Sequence, residues 1–176
     1  MQMVMIHLTG AQPTWSEVAK VYGMLNVTRA TNNKYRDLGL ALRDGYYTAG
    51  WLNVPTQGYH YINDAYSPDV ARAFDPTKPW ILVYNKINGK MTLSGVLYGM
   101  PADSTPAALA AVFPASMASW HQHINLCIRP DRALPYHDRA ACEAHQGRFI
   151  DRTPWVLHAW LWERGTTPVF AMDRSL

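Results

Sequence analysis

Charge is scarce in this chain. Asp, Glu, Lys and Arg make up 16% of its 176 residues, and the formal net charge is only +3. Lys and Arg are scattered. There is no basic run and no stripe of basic and aromatic residues, so the electrostatic footprint of a nucleic-acid binder is missing. No apolar run approaches the roughly 20 residues that span a bilayer. The opening MQMVMIHLTG carries a short apolar patch without a basic n-region or a clear cleavage site, and does not read as a signal peptide. There is no serine nucleophile elbow, no phosphate loop and no HExxH. Cysteine is limited to two residues, Cys127 and Cys142, enough for one disulfide or two thiols.

What is present is aromatic. Seven Trp and ten Tyr fall in a length that suits one domain with a real core. The part spanning 14–45 reads as helical. Thr14 and Glu17 form a capping box pattern after Pro13, and Val18, Val21, Tyr22 and Leu25 follow at i, i+3, i+4, i+7. A second helix is predicted from Thr31 or Asn32, with Tyr35, Leu38 and Leu42 as its apolar face and Gly45 as its stop.

From 46 to 176 the pattern changes to strands and turns. Strands are predicted at GYHYIN (58–63), at 81–84 after Pro79 and Trp80, at 91–98, at 119–128 and at 155–162. Asn88-Gly89 marks a two-residue hairpin turn between the second and third of these. The stretch 101–114, rich in Ala and Pro, reads as a loop with room for one short helical turn, and 138–146 as a short helix stopped by Gly147. No repeat or linker divides the chain. The expectation is one α+β domain over 1–176: two N-terminal helices on a mainly antiparallel sheet that closes as a barrel or sandwich, cupin-like in outline.

Strand alternation then sorts the histidines. In WHQHINLCI, Trp120, Gln122, Ile124, Leu126 and Ile128 take one face, and His121, His123, Asn125 and Cys127 the other. A histidine pair at i, i+2 projects two imidazoles from one face, close enough to chelate an ion. In WVLHAWLW, His158 shares its face with Val156, Trp160 and Trp162, and in GYHYIN His60 alternates with Gly58 and Ile62. A single histidine in an aromatic strand is ordinarily a hydrogen-bonded core residue. Three separate strands with ligand-capable faces favour His60, His121, His123 and His158 as one metal site. His7, His137 and His145 read as surface residues.

The combination of GYHYIN, PWILVY, GKMTLSGVLYGMP, WHQHINLCI, Cys142, WVLHAWLW and PVFAMD resembles a family of uncharacterised, commonly exported bacterial proteins. The upstream ATNNKYRDLGLALRDGY matches that family's A-T-x-x-Y-R-D helix, so the resemblance covers about Thr28 to Asp173. It implies one shared site made by His60, His121, His123 and His158, and a periplasmic or extracellular location, with a cytoplasmic one as the alternative. Some members carry a carboxylate on the strand matching Leu93 to Tyr98. Here that strand reads LSGVLY, which points to an all-histidine site rather than three His and one Glu.

In an exported protein a Cys127–Cys142 disulfide would pin the short helix over the strand and stabilise by roughly 2–4 kcal/mol. The alternatives are two buried thiols, or Cys127 as a thiolate ligand. The latter, with two His and a sulfur from Met100 or Met117, would suit an electron-transfer copper site. Asp64 and Asp69 could orient a histidine, although turn and cap roles suit both. The functional expectation is a mononuclear transition-metal site, copper favoured over zinc or iron, in a redox metalloprotein. A metal-dependent oxidoreductase with a small-molecule substrate, a non-catalytic metal carrier or sensor, and a structural domain with core histidines are the readings to separate.

Overall fold

The structure is a computed structural model that describes residues 2–6, 9–163 and 165–173. After a short first strand, the first quarter of the chain is helical as far as Arg43. Helix α1 (Trp15–Asn32) starts on the expected capping box: Thr14 Oγ1 accepts from Glu17 N at 3.2 Å, and Glu17 Oε2 accepts from Thr14 N at 2.7 Å. Its buried row is Val21, Leu25, Thr28 and Asn32 rather than the row ending at Leu25, and Tyr22 is exposed. The helix continues through the position where a second one was expected to begin. A 3₁₀ turn (Asn33–Arg36) follows, and only then α2 (Leu38–Arg43), whose first turn is capped by Asp37 Oδ1 accepting from Gly39 N at 2.8 Å. Gly45, at φ +92°, stops it as expected. Tyr35 is buried, but Leu42 faces out.

Strands β1 (Gln2–Met5), β2 (Asn53–Val54), β3 (Gly58–Ile62), β4 (Ile81–Ile87), β5 (Lys90–Met100), β6 (His121–Ile128), β7 (Ala133–Leu134), β8 (Arg148–Arg152) and β9 (Trp155–Ala159) form one antiparallel sheet. Its order is β1-β6-β9-β5-β4-β3-β2, with β7 and β8 also pairing to β6. The sheet curls strongly into a half-barrel, so the α+β class and a barrel-like sheet hold. The β4–β5 hairpin turns at Asn88 (φ +50°) and Gly89 (φ +79°), the left-handed pair that Asn-Gly supplies at least cost. Short helices α3 (Pro68–Ala71), α4 (Pro106–Val112) and α5 (Arg139–Ala144) fill the connections. Among the described residues no helix is long and apolar enough to cross a membrane.

The two faces of the sheet are packed differently. The larger core lies between the sheet and α1. It joins Val21, Leu25 and Tyr35 to Leu82, Tyr84, Val96, Tyr98, Trp155 and Leu157. On the opposite face a smaller cluster contains Ile81, Val83, Leu97, Val156 and Trp160. The split along β9, with Trp155, Leu157 and Ala159 one way and Val156, His158 and Trp160 the other, is the one that alternation predicts; past the strand's end at Ala159 it fails, and Trp162, expected beside His158, packs against the larger core.

Cys127 and Cys142 are disulfide-bonded, Cα to Cα 5.7 Å, joining β6 to α5. The bond removes the thiolate as a ligand and with it the cysteine-ligated copper reading. Met100 and Met117 are also out of place for that reading, since both pack against the larger core. The strict sorting of β6 ends at Asn125, which adopts φ +50°; beyond it Leu126, Cys127 and Ile128 are all buried. Gly147 is where the disulfide rests: a Cβ there would lie 2.4 Å from Cys127 Sγ and 2.7 Å from Cys142 Sγ.

Candidate functional site

Registry across the sheet brings the four histidines to one face. His60 on β3 lies opposite Val83, His158 on β9 opposite Leu97, and His121 on β6 opposite Val156. Directly opposed residues of an antiparallel pair project to the same side. The imidazoles therefore border the smaller apolar cluster that those three partners build. Their rings form a chain: His60 to His158 at 6.1 Å between centroids, His158 to His121 at 5.3 Å, and His121 to His123 at 5.2 Å. Trp160 lies against the other side of His158, its ring 5.5 Å away and nearly parallel. His60, His121 and His158 are 5%, 1% and 3% exposed; His123 is half-buried.

Each ring has its own hydrogen-bonding situation. His60 Nδ1 lies 3.1 Å from Leu52 O and 3.2 Å from Gly58 O. Both neighbours are carbonyl oxygens, so Nδ1 carries the proton and Nε2 keeps the lone pair. Gly58 is needed at this corner. It sits at φ +110°, and a Cβ would lie 2.5 Å from both Asn85 Oδ1 and Tyr84 O.

His158 Nε2 lies 3.2 Å from Gln57 Oε1, while Gln57 Nε2 donates to Asp173 Oδ1 at 3.2 Å. A carboxylate only accepts, which fixes the orientation of the Gln57 amide and makes His158 Nε2 the donor. Thr56 Oγ1 donates to the same Asp173 oxygen at 2.8 Å. Gln57 was not legible as a site residue. Only its place in the turn before GYHYIN hinted at it. Nothing in sequence separation links positions 57, 158 and 173.

The remaining two rings differ. His121 Nδ1 and His123 Nδ1 are buried without a hydrogen-bond partner. An unpaired buried polar atom costs of order 1–3 kcal/mol. Gln122 between them points to the other face and is satisfied, donating to Ala102 O at 3.0 Å and Thr153 O at 2.8 Å.

Burial sets the protonation of the cluster. Desolvation pushes His60 down to about 4 and His121 to about 3, and lowers His158 and His123 too. For His121 and His158 the neighbouring imidazoles reinforce the effect, because several cations cannot share an apolar site. All four are therefore neutral near pH 7, the form in which imidazole offers a lone pair.

The other candidates lie elsewhere. His137 and His145 are exposed, the latter stacked on Tyr136 at 4.1 Å, and His7 lies outside the described residues. Asp64 accepts from Tyr47 Oη and Asp69 from Ala102 N. Neither caps its own helix, where Asn63 and Ser67 hold the N-cap positions; each carboxylate instead accepts from a distant segment. As the side chains stand, no group of three or more His, Cys, Asp or Glu among the described residues is gathered to hold a metal ion.

Searches with family models, curated proteins and solved structures returned no match.

The site is therefore read from its own chemistry: four neutral imidazoles, two with a fixed tautomer and two with an unpaired nitrogen, beside an apolar cluster and within 6.1 Å of their neighbours in the chain of rings.

Proposed function

We propose that this protein binds a single transition-metal ion, copper in preference to zinc or iron, through His60, His121, His123 and His158. The observation that carries the reading is the pair of buried, unpartnered nitrogens, His121 Nδ1 and His123 Nδ1, beside His158. A core histidine normally satisfies its nitrogens, and coordination is a way to satisfy these. Ring spacing supports the idea. With a metal–nitrogen bond of about 2.1 Å and about 1.1 Å more to the ring centre, two imidazoles meeting at a tetrahedral ion have centroids about 5.2 Å apart. The His121–His123 and His121–His158 separations are 5.2 and 5.3 Å. The His60–His158 separation is wider, 6.1 Å, so loading requires the rings to turn and draw closer until their nitrogens converge.

The hydrogen bonds of His60 and His158 through their other nitrogens are the kind that orient metal-bound imidazoles. Burial of three of the four rings suits retention of an ion, so a carrier or sensor fits better than an oxidoreductase with a substrate at the ion. The disulfide suits an oxidising compartment, which with the resemblance to exported bacterial proteins favours the periplasm or the cell exterior. The competing reading, histidines as core residues only, draws on the hydrogen bonds already made by His60 and His158.

Elemental analysis of the purified protein separates the two. The metal reading expects one equivalent of bound metal, lost in a folded His121→Ala/His123→Ala double variant. Metal content unchanged by that substitution, or no metal taken up by the wild-type protein, would overturn it.

A further inference from the structure

The edge strand β1 adds a second kind of donor to this face. Its register on β6 places Met5 opposite His121 and Met3 opposite His123. Opposed side chains share a face with Cβ atoms about 4.5–5.5 Å apart. Two thioethers on flexible stems therefore flank the two imidazoles whose Nδ1 atoms are unpaired. The register is held beyond the backbone ladder by Asn125 Nδ2 donating to Gln2 Oε1 at 2.7 Å. Met5 is half-buried, whereas Met3 is 41% exposed and stands at the rim.

The charge of the surroundings is a separate consideration. The strands that build this face, β1, β3, β4, β5, β6 and β9, contain no Asp or Glu at any position. Every donor available there is neutral. The cost of burying an ion among neutral, apolar groups grows with the square of its charge, so a divalent ion pays about four times the desolvation of a monovalent one. The carboxylate linked to the site, Asp173, is held off His158 by Gln57, so zinc, iron and Cu(II) would lack a directly bound negative charge to offset this. A monovalent soft ion does not need it, and thioether sulfur selects Cu(I).

We propose that the site is specific for Cu(I), with Met5 and Met3 supplying thioether sulfur at its β1 edge: Met5 as a ligand beside His121, and Met3 as the outer donor through which the ion arrives beside His123. The proposal rests on the histidine metal reading and sharpens it to one oxidation state and one route. It involves binding alone, with no electron transferred.

The test measures Cu(I) affinity anaerobically by competition with bicinchoninate, and Zn(II) affinity by competition with a chromogenic chelator. It compares wild-type protein with Met3→Leu, Met5→Leu and the double variant. Leucine is close to methionine in volume, and unchanged circular dichroism melting verifies the fold. The double variant is expected to lose Cu(I) affinity about tenfold or more, with Zn(II) binding weak and unchanged. X-ray absorption of wild-type protein loaded with Cu(I) supplies a readout that needs no variant: a Cu–S shell at about 2.3 Å is expected. Cu(I) bound through nitrogen alone, or equal losses for Cu(I) and Zn(II), would overturn the thioether proposal while leaving the histidine site standing. Failure of wild-type protein to bind either ion would overturn both.

Discussion

His121 on β6 and His158 on β9 lie 5.3 Å apart with their rings within 10° of parallel, although 37 positions separate them in the chain. His121 Nδ1 has no hydrogen-bond partner there, so the ring is retained at a cost to the fold. His121→Phe keeps a flat ring and removes the unpaired nitrogen. The expected outcome is a melting temperature equal to or above that of the wild type, with metal binding lost. A marked drop in melting temperature would show instead that His121 makes a hydrogen bond the fold depends on.

The tautomers of the two anchored rings should differ. His60 holds its proton on Nδ1 and His158 on Nε2, as their acceptors dictate. Long-range proton–nitrogen correlation spectra of the metal-free protein near pH 7 distinguish the two forms directly. Gln57→Leu removes the acceptor of His158 and should change its pattern while leaving that of His60 intact. Identical tautomers at both positions would contradict the arrangement.

Acid should destabilise the metal-free protein well before its carboxylates titrate. The unfolded chain takes up protons on its histidines near 6.5, whereas folding holds His60 down at about 4 and His121 at about 3. The stability from keeping these rings neutral is complete above pH 6.5. It is lost as the pH falls from there toward the folded values, because the unfolded state binds more protons. Each such histidine contributes a slope of about 1.4 kcal/mol per pH unit in that window. Urea unfolding midpoints should be level above pH 7 and fall steeply between pH 6.5 and 4. A midpoint that does not move over that interval would show the rings to be solvated.

The Cys127–Cys142 disulfide closes a 15-residue separation and ties α5 to β6. Cys127→Ser with Cys142→Ser should cost about 2–4 kcal/mol in chemical denaturation. Gly147→Ala should cost more while the bond is present, since the added methyl meets both sulfur atoms besides the closely placed Cys142 carbonyl oxygen. Additive losses in the triple variant would mean that the glycine is required for another reason.

Much of this architecture follows from local pattern. The Thr14–Glu17 box, the Asn88-Gly89 turn and the alternation along β9 each depend on a few neighbouring residues, and each is found as expected. The elements that differ are decided by distant partners. Helix α1 runs on to Asn32 because Thr28, set against Tyr98 Oη at 2.6 Å, and Asn32 extend its buried row with hydrogen-bonded polar groups. No hydrophobic periodicity marks such positions. β1 and β8 are strands because β6 pairs with them, and neither carries a strong strand pattern of its own. The grouping of the histidines was legible because alternation survives as far as Asn125. The part played by Gln57 was not, because it depends on a turn, a strand and the segment near Asp173 meeting in space.

The sheet divides the protein into two interiors of unequal size. The helix side holds most of the buried aromatic mass, and its tyrosines Tyr46 and Tyr84 bond to backbone carbonyls. The histidine side is small, and two of its four imidazoles keep an unpartnered nitrogen. Substitutions on the histidine face are thus separated by the sheet from the larger core. Changes at the four histidines should therefore reach the helix-side packing only through the strands they share.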